Sequence, residues 1–263
     1  MKLVDLTRKL DPEDRHRLPE AFKGWGTNII PRIQPIRPGH EGADMMCQIF
    51  GCEKHDLPEG EGWGDEQMQL STHLGTHVDA PLHYGSTCEG KPARTITDID
   101  LNELYVEAMV LDVREDAVQG EGISIDALKS ALDKNGAAVP KDGAIIIRTG
   151  QEAFDVCDEG FFSYPGMTRE GTLFLADLGA KILGTDALGW DRPFPVMRRA
   201  FKKTGNSAEI WDGHFAGRDK EVFIIQQLAH LDQVPASGFK VGFFPLRLAG
   251  CSASPARVIA FID

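Results

Sequence analysis

Ser71-Thr-His-Leu-Gly-Thr-His-Val-Asp-Ala-Pro-Leu-His83 packs three of the chain's eight histidines and one carboxylate into the eleven positions from 73 on. His73, His77, Asp79 and His83 all carry odd numbers, as do Gly75 and Pro81. Side chains of an extended segment alternate faces with period two, so these four polar groups point the same way. Imidazole and carboxylate together are the ligand set of a borderline divalent ion such as Zn(II), Mn(II) or Fe(II). A straight strand cannot deliver them to one ion. Six extended residues span about 20 Å, whereas ligand atoms sit roughly 2.0–2.2 Å from the metal. The chain must bend between His73 and Asp79. Gly75 can supply that bend through a positive φ, and Pro81 ends any ladder pairing. A helix would place His73 and His77 on one face at i and i+4. Asp79 would then lie off that face, and Leu74 stands where an HExxH protease carries its glutamate. The spacing predicts a bent extended segment with a spare histidine beside it.

Working outward, the 263 residues are 42% hydrophobic and 26% charged, enough for a core. No run of about 18 apolar residues is present, so no membrane span is expected. Met1-Lys-Leu-Val-Asp-Leu-Thr7 puts an aspartate where a signal peptide needs its apolar stretch, and a cytoplasmic location is expected. The net charge of −12 argues against nucleic acid as the main partner. The five cysteines are scattered at 47, 52, 88, 157 and 251, with no CxxC pair, which predicts reduced structural thiols.

Residues 2–7 read as a first strand, and 8–66 as a long irregular segment rich in Pro, Gly and charge. That segment holds Trp25 and Trp63, each between glycines, and the apolar run Met45–Phe50. Such a length without regular structure points to a functional excursion. Tyr105–Val113 and the β-branched Ala144–Arg148 read as strands. Ser124 caps a helix that stops at Asn135-Gly136, and Thr168 caps another. Ile182–Asp186 is a strand end entering a loop that holds Trp190. Val222–Ile225, Phe239–Phe244 and Ala256–Phe261 complete the strands. Alternating strands and helices with no evident linker predict one α/β domain over residues 1–263. His214, in Trp211-Asp-Gly-His-Phe215 before the apolar Val222–Gln227 segment, is the one further histidine whose setting suggests a function.

The pattern His73-x-Gly-Thr-His77-x-Asp79-x-Pro81-x-His83 resembles the signature of the metal-dependent cyclase-family hydrolases, which include bacterial kynurenine formamidases and isatin hydrolases. Val4-Asp-Leu-Thr7, Arg148-Thr-Gly150, Gly184-Thr-Asp186 and the Phe244–Arg257 block resemble further family segments. The resemblance is weakest over 8–66. It implies the family's swivelling β/β/α fold around a mixed sheet, and a homodimer or homotetramer. Family formamidases resemble this chain at His214 but carry Glu where Gln226 stands, and use that pair with the shared aspartate for a second zinc. A neutral amide offers a carbonyl oxygen and no charge. Two dications would share only one anionic ligand, and their repulsion would be poorly offset.

One divalent ion per chain is therefore expected, held by His73, His77 and Asp79 with Gln226 as a possible fourth ligand. Mn(II) is preferred, as in the mononuclear isatin hydrolases that this arrangement resembles, with Zn(II) as the alternative. His83 is then free as general base, with His214 orienting substrate or water. Trp25, Phe50, Trp63 and Trp190 are candidates for a flat aromatic pocket. The expected reaction is hydrolysis of an isatin-like lactam or aromatic amide to a carboxylate. Arylformamidase and lactone hydrolase are alternatives within the class. A non-haem Fe(II) oxygenase using the same triad and a metal-binding module without catalysis are the readings outside it.

Overall fold

A computed structural model describes residues 1–263. Its strands are β1 (Lys2–Asp5), β2 (Arg32–Ile36), β3 (Asp65–Gln69), β4 (His77–Asp79), β5 (Thr87–Cys88), β6 (Lys91–Pro92), β7 (Tyr105–Asp112), β8 (Ala144–Arg148), β9 (Ile182–Thr185), β10 (Phe223–Gln226), β11 (Phe239–Pro245) and β12 (Ala253–Ile262). The α-helices are α1 (Ala43–Phe50), α2 (Ile125–Asn135), α3 (Arg169–Asp177), α4 (Phe194–Thr204) and α5 (Asp212–Phe215). No helix is long and apolar enough to cross a membrane.

Eight strands form one mixed sheet in the order β1-β12-β11-β7-β8-β9-β10-β4. β4 also pairs with the start of β12, through Ala253↔Asp79 and Pro255↔His77, so the sheet closes into a barrel. β7, β8, β9 and β10 run parallel. Helices α2 and α3 make the β7–β8 and β8–β9 crossovers that parallel neighbours require, and the β9–β10 connection carries α4 and α5. The expected α/β fold with a mixed sheet core is what the chain adopts.

Residue parity decides which side each side chain faces. Ala108, Val110, Ala144, Ile146, Ile182, Phe223 and Ile225 fill the barrel with Val78, Val241 and Val258. Their odd or even neighbours, Met109, Leu111, Ile145, Ile147, Leu183 and Ile224, pack under Leu128 of α2 and Leu175 of α3. On β4, Val78 points into the barrel, so His77 and Asp79 face outward.

The helix ends follow local chemistry. Ser124 Oγ accepts from Ala127 N at 3.1 Å, and α2 stops at Gly136 with φ 69°. Thr168 Oγ1 accepts from Gly171 N at 3.1 Å at the start of α3. The predicted loop after Trp190 instead contains α4, which Pro193 opens and Gly205 (φ 65°) closes. The irregular 8–66 segment has more structure than expected: several short 3-10 turns, the β2–β3 hairpin, and α1 at its tip.

Candidate metal centre and aromatic pocket

The motif segment bends where a bend was required. Gly75 has φ +59°, and a Cβ there would sit 2.5 Å from Leu10 Cδ2. After the bend the chain enters β4, and Pro81 opens a 3-10 turn that ends at His83. Thr76 Oγ1 donates to Gln227 O at 2.7 Å and accepts from Arg8 N at 2.9 Å, tying the bend to two other segments. Two further family-like blocks meet beneath the site. Asp186 accepts from Thr149 N (2.8 Å), Thr149 Oγ1 (2.7 Å) and Gly150 N (2.9 Å), joining strand ends 37 residues apart in sequence.

Asp79 is fully buried, and its two oxygens differ. Oδ1 accepts no hydrogen bond, although His73 Nδ1 lies 2.8 Å away and His77 Nε2 3.4 Å away. The His77 Nδ1–H donates to Gly75 O at 2.7 Å, which leaves the Nε2 lone pair turned toward Asp79 Oδ1. Facing lone pairs and an unpartnered buried carboxylate oxygen cost free energy unless a cation lies between them. Two imidazole nitrogens and a carboxylate oxygen are also the right donor chemistry. The residues present fit a divalent metal. The three residues whose ligand atoms all lie within 4.8 Å of one another are His73, Asp79 and His83, so His83 belongs to the same cluster, with His77 Nε2 reaching it through Asp79 Oδ1. Its ring centroid is 3.9 Å from that of His73.

Asp79 Oδ2 is bonded differently. The Gln226 amide nitrogen donates to it, and His214 Nε2 lies 3.5 Å away. Gln226 pairs with His77 across β10 and β4, which explains its position. In this arrangement Gln226 offers an N–H to Asp79 rather than a lone pair to an ion. His214 is reached from its other nitrogen by Asp191, which also accepts from Gly213 N. Burial disfavours the charged ring, but Asp191 and Asp79 outweigh it and raise the His214 pKa to about 9. Burial also disfavours charge on Asp79, yet the surrounding histidines hold it well below the usual carboxylate range. His83 goes the other way. Burial, with repulsion from His214, His73 and His77, overrides the pull of Asp79 and lowers it to about 3.

A cavity of about 220 Å³ opens over His73, His77, His83 and His214. Of the four aromatics proposed for its wall, Trp25 and Trp190 line it. Trp190 is anchored by donating from Nε1 to Thr172 Oγ1 at 3.0 Å. Phe50 and Trp63 do not line it; they lie on the α1–β3 arm, 67% and 38% exposed. The glycines around Trp63 and the apolar run before Phe50 indicate folded structure without indicating direction. Sequence reasoning also missed Trp211, whose ring stacks on His214 at 4.5 Å and meets His83 edge-on at 4.8 Å. Its backbone is left-handed (φ 55°), a conformation no local signal announces for tryptophan. Asp191 was missed for another reason: it lies 23 residues from His214, and only the fold joins them.

Residues 4–192 match the Cyclase family. The chain is 26% identical over 236 residues to kynurenine formamidase of Delftia acidovorans, covering 88% of this chain and 95% of that protein. It is likewise 26% identical over 246 residues to isatin hydrolase of Roseibium aggregatum, covering 88% and 86%. Among solved structures, isatin hydrolase A from Ralstonia solanacearum superposes with a TM-score of 0.72 at 23% identity, over 100% of this chain and 92% of that one. An isatin hydrolase bound to the product analogue thioisatinate gives 0.71 at 21% identity, over 100% and 92%. With its signature histidines and aspartate gathered at one outward-facing strand of the shared fold, the chain belongs to the Cyclase family.

Proposed function

We propose that this protein is a metal-dependent hydrolase that opens a compact cyclic amide, of the isatin type, to a carboxylate and an amine. One observation carries the reading. Two imidazole nitrogens converge on the unpartnered buried Oδ1 of Asp79 at the floor of an aromatic-walled cavity. The cavity volume lies below the roughly 300–1,000 Å³ typical of sites for drug-sized ligands, which favours a substrate of one or two fused rings. A solved relative with this fold binds thioisatinate.

His73, His77 and Asp79 would hold one divalent ion, Mn(II) by preference and Zn(II) otherwise. Such an ion supplies Lewis-acid polarisation and a lowered water pKa. The protein's own groups do the rest. Gln226 fixes the carboxylate of Asp79 by donating to Oδ2. His83 is unprotonated at neutral pH; its lowered pKa makes the ring a weak base and its imidazolium a strong acid, so it would relay the proton of the attacking water to the leaving nitrogen rather than hold it. Asp191 holds His214 by Nδ1, leaving Nε2 aimed at the site to orient substrate. Trp25, Trp190 and Trp211 shield the reacting bond from bulk water and stack on a flat ring. The exposed β2–β3 hairpin, with Met45, Ile49, Phe50 and Met68 uncovered, supports a homo-oligomer of single-domain chains.

Isatin ring opening, followed after metal stripping and again after Mn(II) reloading, tests the reading. Activity that survives complete stripping would refute it. Faster turnover of N-formylkynurenine with about two metals per chain would favour the formamidase alternative. A requirement for O₂ and Fe(II) would favour an oxygenase.

A further inference from the structure

The α1 helix ends in a turn that carries a cysteine on each side of its closing bond. Gly51, just past Phe50, is left-handed (φ 64°, ψ 39°). The carbonyl of Cys47 accepts from the N–H of Gly51 and, at 3.2 Å, from the N–H of Cys52. This six-to-one bond is the mark of the Schellman motif. That motif characteristically brings the side chain of the residue after the glycine onto the one five positions earlier. Here those two residues are Cys52 and Cys47. Both thiols are free and partly exposed. Of the other three cysteines, Cys88 is buried and donates to Gly217 O, Cys157 lies against Asp14 O, and Cys251 sits in the turn between β11 and β12, where its N–H donates to Leu248 O. Partial burial and the adjoining Cys52 thiol raise the Cys47 pKa, which accords with direct contact.

We infer that Cys47 and Cys52 form a dithiol pair that closes to an intramolecular disulfide across the end of α1. Closure needs a disulfide oxidant. The thiolate of one cysteine attacks the oxidant's S–S bond, makes a mixed disulfide and expels one thiolate. The second cysteine, as thiolate, then attacks the protein sulfur and expels the other. Two protein thiols and one small disulfide become one protein disulfide and two small thiols. The consequence is local. In α1 only Ala43 is buried, and every residue of β3 is exposed, so packing restrains this arm weakly. A covalent bridge would hold the helix end that packing does not.

The test uses the full metal-loaded chain with glutathione disulfide. The thiol titre of the unfolded product should fall from five to three. Mapping should find a bridged 47–52 peptide lacking two hydrogens, and amide exchange over 43–52 should slow. Cys47→Ser should trap glutathione on Cys52 instead. Gly51→Ala, which penalises the left-handed turn while keeping both thiols, should slow closure about tenfold, with circular dichroism confirming that the chain is folded. Stable glutathione adducts on the unaltered chain, a bridge to any other cysteine, or closure unaffected by Gly51→Ala would overturn the inference.

Discussion

Replacing Gly75 by alanine should damage the fold and the site together, by two separable routes. The first is conformational. At φ +59° a Cβ costs about 1–2 kcal/mol, because it crowds the following carbonyl. The second is steric. The new methyl would lie 2.5 Å from Leu10 Cδ2 and 3.3 Å from Cγ. Leu10 is only half-buried and can yield, so this adds about 1 kcal/mol, the low end of overpacking costs. The expected total is about 2–3 kcal/mol. The same change disturbs the carbonyl that holds His77 Nδ1, and so the direction of Nε2. Urea denaturation of the metal-loaded protein reads the stability, and metal titration reads the site. Leu10→Ala in the Gly75→Ala background should recover the steric part, giving a coupling of about 1 kcal/mol in the double-mutant cycle. A cost for Gly75→Ala below about 1 kcal/mol, or zero coupling to Leu10, would refute the bend as described.

Three further outcomes are expected. His214 has a pKa of about 9 in the fold against about 6.5 unfolded, so its stabilisation is complete below pH 6.5 and lost as pH rises through 9. In metal-free protein the loss should be about 3 kcal/mol, and Asp191→Asn should flatten it in urea midpoints taken at intervals between pH 6 and pH 10. Asp79→Asn should abolish stoichiometric metal by elemental analysis while the circular dichroism spectrum stays native; retained metal would remove Asp79 from the ligand set. Trp211→Ala should raise KM for isatin about tenfold, the upper end of aromatic stacking, and leave bound metal unchanged; an unaltered KM would take Trp211 out of the pocket wall.

What could be read from the sequence depended on how local its cause was. The ends of α2 were legible because Ser124 and Gly136 act within one turn. The bend at Gly75 was legible because the reach of an extended chain excludes the alternative. That His77 and Asp79 share a face followed from parity on a single strand, whereas the outward direction of that face is set by the barrel that Val78 fills. Helix α4 was not legible: Arg198, Arg199, Lys202 and Lys203 on one turn and a half resemble a solvated loop until Pro193 and Gly205 are seen to bracket them. Asp191, Trp211 and the donor role of Gln226 depend on contacts between distant segments. The outward placement of Phe50 and Trp63 reflects an arm whose direction no pattern of residues encodes.

The closure of the barrel through β4 limits how this motif can vary in length. His77–Asp79 is hydrogen-bonded to β10 on one side and β12 on the other, three residues against each. Insert or delete one residue inside it and Val78 exchanges faces with its neighbours. An imidazole or carboxylate would then enter a lining of valine, isoleucine and phenylalanine, and the barrel could not close around it. Spacing within the motif is thus enforced by the folding of the barrel, independently of any selection on chemistry. Within the chain, the arm between Arg32 and Gln69 pairs only with itself, β2 against β3, and not with the barrel. It is where the chain can lengthen, shorten or acquire new side chains without shifting the register that holds His77 and Asp79.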